Sequence, residues 1–298
     1  MKVLLTGATG FIGRHVLTEL QQQGIDTVAV GRTRPADYEG DFITADLLQP
    51  EAPALVIDRA RATHLIHLAW YTEHGAYWNS PLNLRWLDAS VRLAEAFCAA
   101  GGDKLIAAGT CAEYDWASGY CREDTSPLIP ATLYGTVKDA TRRLLDAVCA
   151  AADVSFAWGR LFLPYGEGED ERRLIPSLIA VFEGRREPFG VNGTAYRDFL
   201  HVKDVARAFT CLLRQEARGA YNIASGQPIR ISDLALWVAD ALGGDARRVL
   251  DLPSSRPGDP EMLLAANLKL RSLGWTCGNS TADILDFFQM QHCRIGSI

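Results

Sequence analysis

A short apolar run, Val3-Leu-Leu-Thr-Gly7, leads directly into glycines at 7, 10 and 13, and the residues from Arg14 to Gln23 then have helical character. Few architectures accept a buried strand, a glycine turn and a helix in that order. Gly7 permits the tight turn, Gly10 lets backbone approach a pyrophosphate, and Gly13 lets helix and strand pack closely. The helix N-terminus offers free N–H groups to an anion. Gly7, Thr9, Gly10, Phe11, Ile12 and Gly13 are therefore candidate dinucleotide contacts. The alternative is a tight strand–helix turn that binds nothing.

A second strand, Thr27–Val30, ends at Gly31-Arg32-Thr33-Arg34. A carboxylate at this strand end accepts hydrogen bonds from the ribose of NAD, whereas arginine accommodates the 2′-phosphate of NADP. With no acid and two arginines, the residues point to NADP, with NAD as the alternative, unless Arg32 and Arg34 only decorate a solvated loop. Asp46 and Leu47, after a third short strand around Phe42–Thr44, are placed to cap an adenine edge. The strand Leu65–Leu68 runs into Ala69-Trp70, and Leu68 and Ala69 form a candidate floor under the cofactor. His67 reads as a packed strand histidine, not a ligand.

Tyr134 and Lys138 stand four apart in Leu133-Tyr-Gly-Thr-Val-Lys-Asp139, on one face of a helix. An ammonium near a phenol favours the phenolate and draws its pKa down from about 10. That would make Tyr134 a proton donor and acceptor for an alcohol/ketone pair, as hydride chemistry at a carbinol carbon requires. The spacing alone is a weak signal, and its weight comes from the glycine turn upstream.

With Gly7–Gly13, Asp46-Leu47, His67-Leu-Ala69 and Tyr134–Lys138 in order, the chain resembles the extended short-chain dehydrogenase/reductase family, in its nucleotide-sugar epimerase, dehydratase and reductase branch. The resemblance continues through Gly159–Gly166, Arg197–Asp204, Tyr221–Gly226, Arg256–Asp259 and Leu273–Trp275. It implies that Thr110 hydrogen-bonds the reacting oxygen, that Tyr134 is the acid/base, and that Lys138 lowers the tyrosine pKa and holds the nicotinamide ribose. It also implies that Arg197 and Arg256 grip the diphosphate of a nucleotide sugar, as a guanidinium fork suits. The chain departs from the family at Leu163, where an Asn is common, and at Cys111 and Ala112, where dehydratases carry Asp-Glu. Glu113 falls one position late and, on a strand, should point away. The Asn usual in the helix before Leu93 has no clear counterpart, since Asn83 lies a turn upstream and the register falls on Trp86.

The 298 residues suffice for a doubly wound parallel α/β Rossmann sheet and a smaller, interleaved α/β substrate lobe. The first would take residues 1–163 plus about 197–226, the second about 164–196 plus 227–298. Helices are expected near Leu82–Ala100, from after Pro130 to about Ala151, and over Ile175–Phe182 and Ile231–Leu242. Strands are expected at Lys104–Ala108 and Val154–Arg160, with a charged loop at Glu167–Arg173. Leu144, Leu145 and Val148 read as core or subunit contact, and the resemblance implies a homodimer built from the two long helices. Residues 292–298 are expected to fray.

A net charge of −6 argues against nucleic acid or an anionic membrane as the main partner. No apolar stretch approaches the roughly 20 residues a bilayer requires. Seven cysteines without Cys-x-x-Cys, and no clustered histidines, suggest reduced thiols in a cytoplasmic protein with no metal. Entry into the first strand at once suggests no signal peptide. Cys111 as a nucleophile lacks a base spaced to serve it.

The expectation is thus an NADPH-dependent reductase of a nucleotide-linked 4-keto-6-deoxyhexose. Alternatives are an NAD-dependent nucleotide-sugar 4-epimerase using the same residues, a reductase of some other small ketone, and a non-catalytic NADP(H)-binding regulatory protein.

Overall fold

A computed structural model describes residues 1–36, 38–254, 259–278 and 284. The chain begins β1 (Lys2–Thr6), α1 (Phe11–Gln22), β2 (Asp26–Gly31), β3 (Asp41–Thr44), α2 (Ala52–Ala60), β4 (His64–His67), α3 (Leu82–Ala99) and β5 (Lys104–Thr110). It continues β6 (Tyr120–Cys121), α4 (Leu133–Ala151), β7 (Ser155–Leu161), β8 (Leu163–Tyr165), α5 (Leu174–Phe182), β9 (Tyr196–Arg197), β10 (Phe199–His201), α6 (Val202–Arg214) and β11 (Gly219–Ile223). The last described elements are β12 (Ile229–Arg230), α7 (Ile231–Ala241), α8 (Arg247–Leu250), β13 (Met262–Ala265) and α9 (Leu268–Arg271).

Seven strands form one parallel sheet in the order β11-β7-β5-β4-β1-β2-β3, the expected doubly wound Rossmann arrangement. Its central strands are near-continuous apolar runs because helices cover both faces. Val3, Leu4, Leu5, Leu65, Ile66 and Ile106 are fully buried. The strand order reverses between β1 and β4, so a crevice opens outside their carboxyl ends. His67 bridges the two strands to α3, with Nδ1 2.7 Å from Thr6 Oγ1 and Nε2 2.9 Å from Ser90 Oγ. Burial pushes its pKa down to about 3, so it is a neutral packed histidine.

A second hydrophobic core gathers Tyr165, Ile175, Leu178, Phe199, Leu234 and Val238 from around α5 and α7. Beside it, β8 pairs with β10, and a small sheet runs β12-β9-β13-β6. The chain re-enters the large sheet with β11, which pairs with β7, while α6 packs on α1. Among the described residues no helix is long and apolar enough to cross a membrane.

Candidate active site

The glycine turn is shaped by contacts that a side chain would destroy. Gly7 has φ +71°, and a Cβ there would lie 2.7 Å from Ala69 N and 2.8 Å from Leu68 C, so β1 and β4 leave the sheet in near contact. A Cβ on Gly13 would fall 1.9 Å from Gly7 O, where α1 presses on the turn, while one on Gly10 would meet only Gly7 O, at 3.3 Å. No side chain caps the N-terminus of α1. Its first-turn N–H groups, with Thr9, Phe11 and Ile12 beside them, are therefore open to an anion in the crevice. This cradle fits the pyrophosphate of a dinucleotide.

The adenosine end is less as expected. Arg34 does not reach outward: its Nε and Nη2 donate to Tyr38 O (3.2 and 2.9 Å) and Nη2 to Gly40 O (3.0 Å), closing the β2–β3 loop. A guanidinium so engaged by its own loop is not free to fork onto a 2′-phosphate. Arg32 is exposed beside Gly31. Asp46 caps its own turn by accepting from Leu48 N (3.1 Å), and Leu47 is buried in the core. Leu68 and Ala69 stand against the glycine turn, and Ala69 N donates to Thr6 Oγ1 (3.3 Å).

Three elements converge beyond this crevice. Thr110 ends β5; its Oγ1 accepts from Ala112 N (3.2 Å), and it stands close enough to Tyr134 to favour the phenolate. Tyr134 lies in the first turn of α4, which Thr132 caps by accepting from Gly135 N (3.1 Å). One turn on, Lys138 Nζ donates to Ala108 O (2.6 Å) and sits 3.9 Å above the Trp70 ring and 5.2 Å from that of Trp158. Tyr134 and Lys138 thus share one buried face of α4, near the end of β5.

The expected acidification of Tyr134 is not found. Burial is the largest influence on the phenol and raises its pKa above the ordinary range, with only the Thr110 hydrogen bond prominent in opposition. Lys138 is itself pulled down to about 7 by burial, with Glu113 opposing. Helical spacing correctly predicts a shared face, but the ammonium turns to a backbone carbonyl and an indole instead of the phenol.

Glu113 points away from the site as expected, but for a different reason. The chain leaves β5 at Thr110 and curls into a single 3-10 turn, Cys111–Glu113, so strand alternation does not apply. The carboxylate folds back beneath Thr110 and pairs with Arg160 (2.7 Å) in the core. Burial pushes the Cys111 thiol up to about 12, which disfavours a nucleophilic thiolate.

An aromatic wall surrounds Tyr134 that the sequence reading missed. Tyr77 meets its ring edge-on at 4.8 Å and Trp78 at 5.9 Å, while Trp116 meets Trp78 at 6.1 Å. The signal was present as Trp70, Tyr71, Tyr77 and Trp78 within nine residues of one loop. Trp116 also lines, with Ala112, Ile129, Thr132, Pro260 and Met262, a cavity of about 590 Å³ next to the α4 N-terminus. Asn83 does not face this space. It is fully buried, accepting from Trp70 Nε1 (2.9 Å) and donating to Tyr77 O (2.7 Å), so it anchors the wall; Trp86 stacks on Trp70 at 6.2 Å. Arg197 is buried on β9, donates to Tyr196 O (2.9 Å) and lies 3.7 Å from Asp259. Arg256, its expected partner, lies outside the described residues, as do residues 292–298.

Known proteins are similar to this chain over nearly their whole length. MoeE5, solved in complex with UDP-glucuronic acid and NAD, is 30% identical with a TM-score of 0.84, covering 99% of this chain and 100% of that one. The Thermus thermophilus UDP-glucose 4-epimerase, solved with NAD, is 25% identical with a TM-score of 0.83, covering all of both chains. The UDP-glucose 4-epimerase of Rhizobium meliloti is 27% identical over 98% of this chain and 97% of its own. The model of the NAD dependent epimerase/dehydratase family matches residues 3–224. The glycine turn and the Tyr134–Lys138 pair both fall within that match, and the chain belongs to this family, an enzyme of the extended short-chain dehydrogenase/reductase type.

Proposed function

We propose that the chain is an NAD-dependent 4-epimerase of a UDP-linked hexose. The observation that carries this is the pairing of Thr110 with Tyr134 where no second acid or base follows: Cys111 and Ala112 occupy the next positions, and Glu113 is turned into Arg160. Chemistry is then confined to moving one proton and one hydride at a carbinol carbon. The whole-length relatives named above as UDP-glucose 4-epimerases support the substrate class.

When bound, NAD supplies first a hydride acceptor and then a hydride donor. In this proposal Gly7, Thr9, Gly10, Phe11, Ile12 and Gly13 hold its pyrophosphate, with Asp46, Leu47, Leu68 and Ala69 along the adenosine and floor. Tyr134 takes the proton of the sugar C4 hydroxyl and returns it to the keto oxygen presented by the opposite face. Thr110 hydrogen-bonds that oxygen as charge develops on it. Lys138, in the same buried space, reaches the ribose. Burial favours the neutral phenol and Thr110 opposes it, so the first step runs through the phenolate that Thr110 favours, and the phenol so formed serves the return step. Arg197 and Arg256 bind the diphosphate. The exposed Leu84 and Leu144 on the packed pair α3 and α4 support a homodimer through those helices.

Reduction of a 4-keto-6-deoxyhexose with NADPH is the second reading, favoured only by Arg32 at the end of β2, since Arg34 closes its loop. One experiment separates them. Purified protein given UDP-glucose without added cofactor should form UDP-galactose, and native mass spectrometry should show NAD carried through purification. Turnover that appears only with NADPH and a 4-keto sugar would establish the reductase instead.

A further inference from the structure

The turn after β5 holds a buried carboxylate that none of these steps uses. Glu113 Oε1 accepts from Thr110 N–H (2.8 Å) and from Trp158 Nε1 (2.9 Å), and Oε2 accepts from Arg160 Nε (2.7 Å). Arg160 Nη1 in turn donates to Tyr114 OH (2.9 Å), which donates to Asn222 Oδ1 (2.8 Å) on β11. A Cβ on Gly109 would lie 2.1 Å from Trp158 Nε1 and 2.6 Å from Glu113 Oε1, so the strand lies flush on this network. The ring of Trp158 also faces Lys138 Nζ at 5.2 Å.

A buried ion pair is poor evidence of a stabilising device, because apolar groups of equal volume often do as well. What sets this one apart is its partners. One carboxylate fixes the backbone of Thr110, whose hydroxyl meets Tyr134, and the indole that faces Lys138. We infer that Glu113 is a positioning residue for the chemical step: it clamps the Thr110 peptide so that the hydroxyl addresses the reacting oxygen. The kinetic side of this rests on the epimerase reading above; the clamp itself does not.

The test is a double-mutant cycle between the paired replacement Glu113→Leu/Arg160→Met, which removes both charges, and Thr110→Ala. The paired replacement should lower kcat for UDP-hexose epimerisation by about tenfold or more with KM within about threefold, the split expected of an interaction made in the transition state. On the Thr110→Ala background it should have under a twofold further effect on kcat, because no hydroxyl remains to be aimed. A folded variant with unchanged kcat, or the full loss repeated on that background, overturns the inference. Should the paired variant not fold, Glu113→Asp decides: the withdrawn carboxylate must lower kcat without raising KM, and an unaltered kcat overturns it. If the wild type does not epimerise UDP-hexoses, the substrate reading fails separately. Amide exchange at Thr110 then decides: acceleration in the variant upholds the clamp, and an unchanged rate removes it.

Discussion

Burial and charge conflict at Lys138. Its ammonium has Ala108 O as a hydrogen-bond acceptor and the Trp70 ring against it, and burial brings its pKa from 10.5 to about 7. Between about pH 7 and 10.5 the unfolded chain binds a proton that the folded chain does not, so this group makes stability rise with pH across that window. Below pH 7 the fold carries the full penalty. Lys138→Met should therefore raise stability most at pH 6, by on the order of a few kcal/mol, and the gain should shrink towards pH 10. Activity should fall roughly 10²- to 10⁴-fold. Melting curves of both proteins across pH check this, and a gap that stays constant would show that Lys138 does not titrate there. The sequence placed Lys138 beside Tyr134 because helical periodicity is a property of spacing. It could not show what the ammonium would touch, since Ala108 and Trp70 come from other strands and loops.

The glycine turn, α1 and the Tyr134 helix were legible as elements because each depends on local pattern: an apolar run, glycines three apart, and a helical stretch after Pro130. The turn after β5 was missed although Thr110-Cys-Ala-Glu113 has the spacing of a capping box, which the structure forms, because the direction of Glu113 also depends on Arg160 and Trp158, far away in sequence. At this scale the glycines separate two roles. Gly13→Ala places a methyl 1.9 Å from Gly7 O and must push α1 off β1. It should destabilise the fold by about 1–3 kcal/mol or more and abolish retained dinucleotide. Gly10→Ala meets only a 3.3 Å contact. It should melt within a few degrees of wild type yet lose the dinucleotide, because its methyl stands where a pyrophosphate approaches. Thermal melts with cofactor content measured on the same samples test both. Retained dinucleotide in Gly10→Ala would place the pyrophosphate elsewhere.

Across the whole molecule, the order of motifs identified the parallel sheet, and of residues 197–226, assigned back to it, β11 joins it while β9 and β10 pair in the smaller sheets. The joints between sheets were hidden, because they are made by side chains whose partners lie far away in sequence. Asp198 is the main one. It sits between β9 and β10, fully buried, and was read only as the neighbour of Arg197. Its Oδ1 accepts from Ser225 N (2.7 Å) and Ser225 Oγ (2.6 Å), and its Oδ2 from Gly226 N (3.0 Å) and Ala265 N (3.3 Å). One carboxylate thus ties the exit of the large sheet to β13 of the small one, and so fixes Arg197 and Asp259 relative to the crevice. Burial raises its pKa to about 6, yet the four donors keep it in place. Asp198→Ala leaves those donors buried without acceptors, at about 1–3 kcal/mol for the set even after relaxation. The expected result is a melting temperature lowered by several degrees. Amide exchange should accelerate at Ser225, Gly226 and Ala265 while β1, β4 and β5 remain protected. Because Arg197 moves with β9, KM for the nucleotide sugar should rise more than kcat falls. Uniform loss of protection across the large sheet would instead mean that Asp198 supports the core as a whole and not the joint between its sheets.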